Sequence, residues 1–441
     1  MNKEIRFVAI GLFVANLCSV CTAQNPIIQT CYTADPAPMV HNGTVYLYAD
    51  HDEDNSKYYT MNDWKVYSST DMVNWTDHGT PLHYTDFKWS DGQAWASQCV
   101  YRNGKYYWYV CCHSKTLNHH AVGVAVSDSP YGPFKDALGK PLASLSWADI
   151  DPTVFIDDDG QAYLYWGNSG LWYVKLNKDM ISYSGDIVKV DVKDKKAFAP
   201  IYVEAPWLNK HNGVYYLSYA AGGIPEHIAY STSNSPTGPW KYQGVMMPQQ
   251  GGSFTNHGGM IDFKGKSYYF YHNGALPGGS GFTRSICVDP FTYNSNGTIS
   301  PFKMTKEGVK DPVGYLNPYE RVEAETMAWS EGVKTVQDAK ARIYVTSIDN
   351  GDYIKVRSVN FEKKEAKTFA ACVGGLKGGI VELRMDQRDG PIIGTLKVPA
   401  NSQWMVHRTL IKGKTAGIHD LYLVFKGKQD LFNFDYWQFD K

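Results

Sequence analysis

One pattern recurs five times in the first two thirds of the chain: a turn dipeptide ending in glycine, followed at once by an alternating aromatic run. The copies are Asn42-Gly43 before Thr44 to Tyr48, Asn103-Gly104 before Lys105 to Tyr109, Asp159-Gly160 before Gln161 to Tyr165, Asn212-Gly213 before Val214 to Ser218, and Lys264-Gly265 before Lys266 to Phe270. They are spaced by about 50 to 60 residues. Asn-Gly and Asp-Gly are strong hairpin signals, because both central residues of the favoured two-residue turn need positive φ. A second kind of loop follows several copies, from Tyr67 to Trp75, Val124 to Phe134 and Tyr230 to Trp240. Each unit therefore has room for about four strands.

Four-stranded units at this period predict an all-β chain that begins with a five-bladed β-propeller, a ring without free sheet edges. A large β-sandwich is the competing architecture, but it gives no reason to repeat one hairpin type at one period. Aromatic residues make up 14% of the chain, including 32 Tyr and 13 Trp. Such rings suit strands and equally suit the flat apolar faces of sugars. Lys and Arg total 43 against 44 Asp and Glu, which leaves no excess positive charge to track nucleic acid or an anionic membrane.

In a propeller the first strand of each blade lines the central channel, so residues that begin those strands converge near the axis. Counting back eight or nine residues from each hairpin glycine reaches Asp35, the pair Trp95 and Ala96, Asp151, Glu204 and His257. Asp before Pro, as at Asp35-Pro36 and Asp151-Pro152, is common where a turn enters a strand. Glu204 lies between apolar residues of a predicted buried strand, where an unpaired charge costs several kcal/mol, about 2 to 7, or shifts its pKa. Three acids and one histidine at one repeated position match the inventory of glycosidic bond cleavage: an acid to protonate the leaving oxygen, a carboxylate to activate water, and neighbours that push their pKa values apart. Asp35 is accordingly the expected base and Glu204 the expected acid. Asp151 is the third carboxylate, expected to raise the pKa of Glu204 by its charge.

Tyr32-Thr33-Ala34-Asp35-Pro36, Asp149-Ile150-Asp151-Pro152, Val203-Glu204-Ala205-Pro206 and Asn256-His257-Gly258, in that order, resemble glycoside hydrolase family 43 over residues 25 to 305. The resemblance implies a five-bladed inverting enzyme whose base, pKa-modulating and acid residues fall on Asp35, Asp151 and Glu204. It also implies that His257 is an axial histidine beside calcium or water, and that Arg284 steadies substrate and acid. Trp95 either walls the sugar pocket or packs in the core. Ala94-Trp95-Ala96-Ser97-Gln98 and the appended C-terminal region are most similar to arabinofuranosidases that debranch arabinoxylan, so α-L-arabinofuranosyl units of arabinoxylan or arabinan are the expected substrate. β-Xylosidase and arabinan- or galactan-directed activities share the same carboxylates, and a non-catalytic glycan-binding protein is the rival of another class.

The pattern changes near residue 310. Short alternating strands then run to Phe432-Asn433-Phe434-Asp435-Tyr436-Trp437, which suits a second, β-sandwich domain. This region resembles a family 6 carbohydrate-binding module. The resemblance implies a structural calcium on Glu323, Glu325 and Asp435, stacking platforms at Tyr344 and Trp404, and a sugar hydrogen bond from Asn433. The expected limits are 24–312 for the propeller and 318–441 for the sandwich.

Residues 1–23 combine a basic start, an apolar run and a small-residue end, the pattern of a secretory leader. The expected location is secreted or periplasmic, with no membrane span in the mature chain. Beyond the leader six cysteines are scattered without metal spacing and are expected to be mostly buried small hydrophobes, with one bridge left open. No organic cofactor is expected. His119-His120 has no partner at metal spacing and is assigned to a surface loop.

Overall fold

The computed structural model describes residues 24–400 and 403–441, so the expected leader lies outside the described residues. The architecture is all-β, and the only helical turn among the described residues is a short 3-10 turn at Tyr84–Asp86. Five separate antiparallel sheets come first, each built around strands consecutive in sequence. Their first strands are Tyr32–His41, Ser90–Arg102, Thr153–Ile156, Tyr202–His211 and Gly258–Phe263. These strands touch in cyclic order, each against the next and the fifth against the first.

The repeated glycine dipeptides make the turns expected of them at four of five positions. Asn42, Asn103, Asn212 and Lys264 have φ of 48°, 51°, 48° and 47°, each followed by a glycine at positive φ. In the third copy only Gly160 is left-handed, at φ 81°. There the Gly160 N–H donates to Asp157 O at 2.8 Å, in a longer loop. The first sheet also takes in a strand from beyond the propeller, and the fifth has three strands rather than four. Beside the third strand of the fifth sheet runs the start of the described chain, where Ile27 N–H donates to Ile286 O at 2.8 Å.

The aromatic runs explain how the sheets are joined. Tyr48, Tyr109, Tyr165 and Tyr216 are buried on second strands. Their hydroxyls donate to Pro130 O, Met180 O, Pro236 O and Gly297 O, at 2.6, 2.5, 2.7 and 2.7 Å. Each of these carbonyls belongs to the following sheet or the loop just past it. A buried tyrosine supplies apolar area but needs a partner for its hydroxyl. Here the ring fills the gap between neighbouring sheets while the hydroxyl binds the next one.

After Phe291 a connecting stretch leads to two further sheets, of six and five strands, that enclose a core including Val356, Phe369, Leu423 and Trp437. This sandwich is docked directly on the first propeller sheet. Thr326–Met327 pairs with Trp75–Thr76, and Asn74 and Arg357 exchange two hydrogen bonds of 2.8 and 2.9 Å. All six cysteines beyond the leader are free, and five of them are buried.

Candidate active site

The acids owe their common direction to a backbone device shared by three sheets. Asp35 and Asp151 each precede a proline and have φ of 47° and 60°, while Ala205, between Glu204 and Pro206, has φ 55°. Proline offers no N–H to the ladder. The pairing accordingly breaks between Ala34 and Ala37 and between Glu204 and Trp207. Left-handed non-glycine backbone costs of order 1–3 kcal/mol per residue and persists where the surroundings over-determine it. A bulge re-aims the side chain it carries, and here all three acids line one cavity of 370 Å³. Trp95, His257 and Arg284 line it too, so every propeller residue singled out in the sequence comes together.

The electrostatics separate the acids. Burial pushes Asp35 up, but the charge of Arg284, the hydrogen bond with His272 and the charges of His257 and His272 outweigh it and hold Asp35 well below the usual carboxylate range. Arg284 Nη1 donates to both Asp35 oxygens, at 3.1 and 3.3 Å. Glu204 moves the other way: burial first, then the negative charge of Asp35, raise it from 4.5 to about 7. The Asn168 amide, which donates to Glu204 Oε2, opposes that rise, as does Arg284.

Asp151 is pushed well above the usual range by burial and by the charges of Glu204 and Asp35, against the Ala205 N–H that donates to it at 2.8 Å. The sequence reading made Asp151 the group that lifts Glu204. In the structure burial and Asp35 head the causes at Glu204, and Asp151 bears the repulsion between the two. That repulsion couples the titration of Glu204 and Asp151.

Several site residues carried no sequence signal of their own. His272, fully buried, places Nδ1 3.2 Å from Asp35, closer than the 3.9 Å of His257. Asp52 holds the far side of Arg284. His120 is a correction: it is no surface-loop residue but opens the strand His119–Ser127 and lines the cavity. Its ring lies 4.4 Å from that of Trp95, and its nitrogens meet Gln93 Oε1 at 2.6 Å and Trp147 O at 3.0 Å. Trp95 is half-buried in the cavity wall, where its indole N–H donates to Tyr59 O at 3.1 Å. At the mouth stand Tyr58, Trp147 and Ile224, 57%, 60% and 69% exposed.

The metal expectations fare differently. Among the described residues, no three His, Cys, Asp or Glu side chains with ligand atoms within 4.8 Å of one another include His257, Glu323, Glu325 or Asp435. Burial lowers His257 to about 4, so it is a neutral ring beside Asp35. In the sandwich Arg321 takes both oxygens of Glu323, at 2.8 and 2.7 Å, and lies 3.6 Å from Asp435. Arg342 approaches Asp435 from another side at 3.7 Å. Glu325 is turned into the contact with the propeller, in a recess shared with Asp77 and Thr335, and burial raises it to about 9. A neutral Glu325 and two arginines do not fit a calcium site, which needs converging anionic oxygens.

The residues expected to form the sugar cleft contact one another and their neighbours. Tyr344 and Trp404 meet edge to face at 5.1 Å, Arg342 covers the Trp404 ring at 4.7 Å, and Asn433 Oδ1 accepts from Thr346 at 2.8 Å.

A cavity that keeps one carboxylate ionised and raises a second to about 7 is equipped for acid–base cleavage of a glycosidic bond, which makes the molecule an O-glycosyl hydrolase. The chain belongs to glycosyl hydrolases family 43, whose model matches residues 23–299, and residues 323–441 match carbohydrate-binding module family 6. It is 35% identical to an arabinoxylan arabinofuranohydrolase of Bacillus subtilis (strain 168), over 94% of this chain and 92% of the relative. A xylosidase/arabinosidase of Bacteroides ovatus is 32% identical over 63% of this chain and 97% of its own. Among solved structures, a family 43 arabinoxylan arabinofuranohydrolase from Bacillus subtilis in complex with cellotetraose superposes with a TM-score of 0.83 at 33% identity, covering 95% of this chain and 98% of that one.

Proposed function

We propose that this chain releases α-L-arabinofuranosyl units from arabinoxylan or arabinan by an inverting mechanism. The observation that carries the reading is the opposed protonation of Asp35 and Glu204 in one cavity. Asp35, ionised and oriented by Arg284, takes a proton from water as that water forms its bond to the anomeric carbon. Glu204 gives its proton to the leaving oxygen as the glycosidic bond breaks. Asp151 completes the site as its third carboxylate, coupled to Glu204, while burial and the charge of Asp35 keep the pKa of the acid up. His257 and Arg284 face the sugar from the floor of the cavity and Trp95 from its wall. A volume of 370 Å³ suits one or two sugar rings. The names of the curated relatives support the arabinose preference.

We further read the five sheets as blades of one ring over 24–312, followed by a module over 318–441, in a protein that is secreted or periplasmic. The polysaccharide is the partner. The module serves as a docked support, since its own arginine covers Trp404.

The test incubates the protein with aryl arabinofuranoside, aryl xylopyranoside, arabinoxylan and arabinan, beside Asp35→Asn and Glu204→Gln. Loss of about two to four decades in rate, roughly 3 to 5 kcal/mol of transition-state stabilisation, is expected in each variant. Wild-type rates in both would overturn the mechanism. Release of xylose alone would move the activity to β-xylosidase, the name of one relative, and no hydrolysis of any substrate would leave a glycan-binding protein. Proton NMR of the first sugar released reads the anomer directly, and retention of configuration would refute the inverting assignment.

A further inference from the structure

Three carboxylates and one guanidinium are buried together beneath the cavity. Arg284, 2% exposed, donates from Nε and Nη2 to the two oxygens of Asp52, both at 2.9 Å, and its backbone N–H adds a third bond of 2.8 Å. Its remaining nitrogen serves Asp35. Asp50 lies in the same strand as Asp52 and opposite Ala34, next to Asp35 in register. It is completely enclosed, and no N–H or O–H donates to either of its carboxyl oxygens. The titratable groups that face it are Asp35, Arg284 and Asp52, with the thiols of Cys111 and Cys112 from the second sheet.

One guanidinium, already divided between two carboxylates, cannot balance a third. A buried anion without a partner takes up a proton instead. Burial and the charges of Asp35 and Asp52 all push Asp50 in that direction, and Asp35 is the acceptor that faces it. We propose that Asp50 is a positioning residue for the base: a neutral carboxylic acid whose hydroxyl donates to the Asp35 carboxylate and holds it toward the water it activates. The inference rests on Asp35 being the base. A donor to the ionised form favours that form, so removing it raises the pKa of Asp35 and moves the acid side of the activity profile to higher pH.

Two measurements test it. In the infrared difference spectrum of wild type minus Asp50→Asn, the carbonyl stretch of a protonated carboxylic acid should persist from about pH 5 to about pH 8, far above the ordinary aspartate range. In kinetics, Asp50→Ala should lower kcat about tenfold with KM unchanged and shift the acid side up by about one pH unit, the worth of one hydrogen bond to a charged group. Asp50→Asn, which keeps a donor of the same shape, should restore most of that loss. The absence of the acid band, as an ionised or cation-bound Asp50 would give, overturns the proposal, and so does Asp50→Ala with wild-type kcat and profile. Should Asp50→Ala not fold, the spectrum decides alone. Asp35→Asn is run alongside: full activity there would remove the base assignment itself, a failure distinct from a missing band.

Discussion

Removing the side chain that holds Glu204 down should make this enzyme more tolerant of alkali. Asn168 donates to Glu204 Oε2, and this hydrogen bond is the first of the influences opposing the rise from 4.5 to about 7. Its backbone N–H is bound to Ala148 O at 3.1 Å, so Asn168→Ala leaves the loop anchored. A hydrogen bond to a buried carboxylate is worth about 1.5–3 kcal/mol, and at a cavity wall water replaces part of it, leaving about 1.4 kcal/mol or one pH unit. The working form of Glu204 is the protonated one, so activity falls as pH rises through its pKa. In Asn168→Ala that fall should move from about pH 7 to about pH 8, and at pH 8 the protonated fraction rises from about a tenth to about a half. Relative to each enzyme's own optimum, the variant is then about fivefold more active at that pH. The assay is kcat/KM against pH on an arabinosylated xylo-oligosaccharide, whose poor leaving group makes proton donation limiting. An alkaline limb that stays in place, or moves down, would refute the assignment of Glu204 as the acid restrained by Asn168.

Asp151→Asn should leave that limb in place, because burial and the charge of Asp35 lift Glu204 while Asp151 is itself pushed well above the usual range; a pH–rate profile whose limb moves down by about one pH unit would restore Asp151 as the group that raises the acid. Chelation tests the sandwich. Because Arg321 bridges Glu323 and Asp435 and Arg342 meets Asp435 from another side, hydrogen exchange of the paired strands Val322–Glu323 and Phe432–Asp440 should be the same with and without EDTA, and faster exchange in the chelator would restore the calcium site.

The turn residues were legible because their chemistry is local. Asn42-Gly43, Asn103-Gly104, Asn212-Gly213 and Lys264-Gly265 all adopt positive φ, while Asp159-Gly160, where the glycine alone does, sits in a longer loop. Asp35, Asp151 and Glu204 were legible for a related reason: one position in a repeat becomes one place around an axis. His272, Asp50 and Asn168 were not, because each matters through a contact with an acid from a distant part of the chain. His120 was misplaced because a histidine pair before an apolar strand reads as solvent-facing, whereas its ring packs on Trp95 and its nitrogens meet Gln93 and Trp147 O. The resemblance to a carbohydrate-binding module implies Glu323 and Glu325 as paired ligands. Docking against the propeller separated them, burying Glu325 beside Asp77 and leaving Glu323 to Arg321.

Short-range physics therefore carried the hairpins, the all-β class and the inventory of acids from the amino-acid order alone. Protonation belongs to the folded molecule, since burial and charges brought from other sheets decide which carboxylate keeps its proton. Asp35 and Asp151 both precede a proline at the start of an inner strand. The guanidinium of Arg284, nearly 250 residues farther along than Asp35, holds one ionised, while burial and the charges of Asp35 and Glu204 push the other far up.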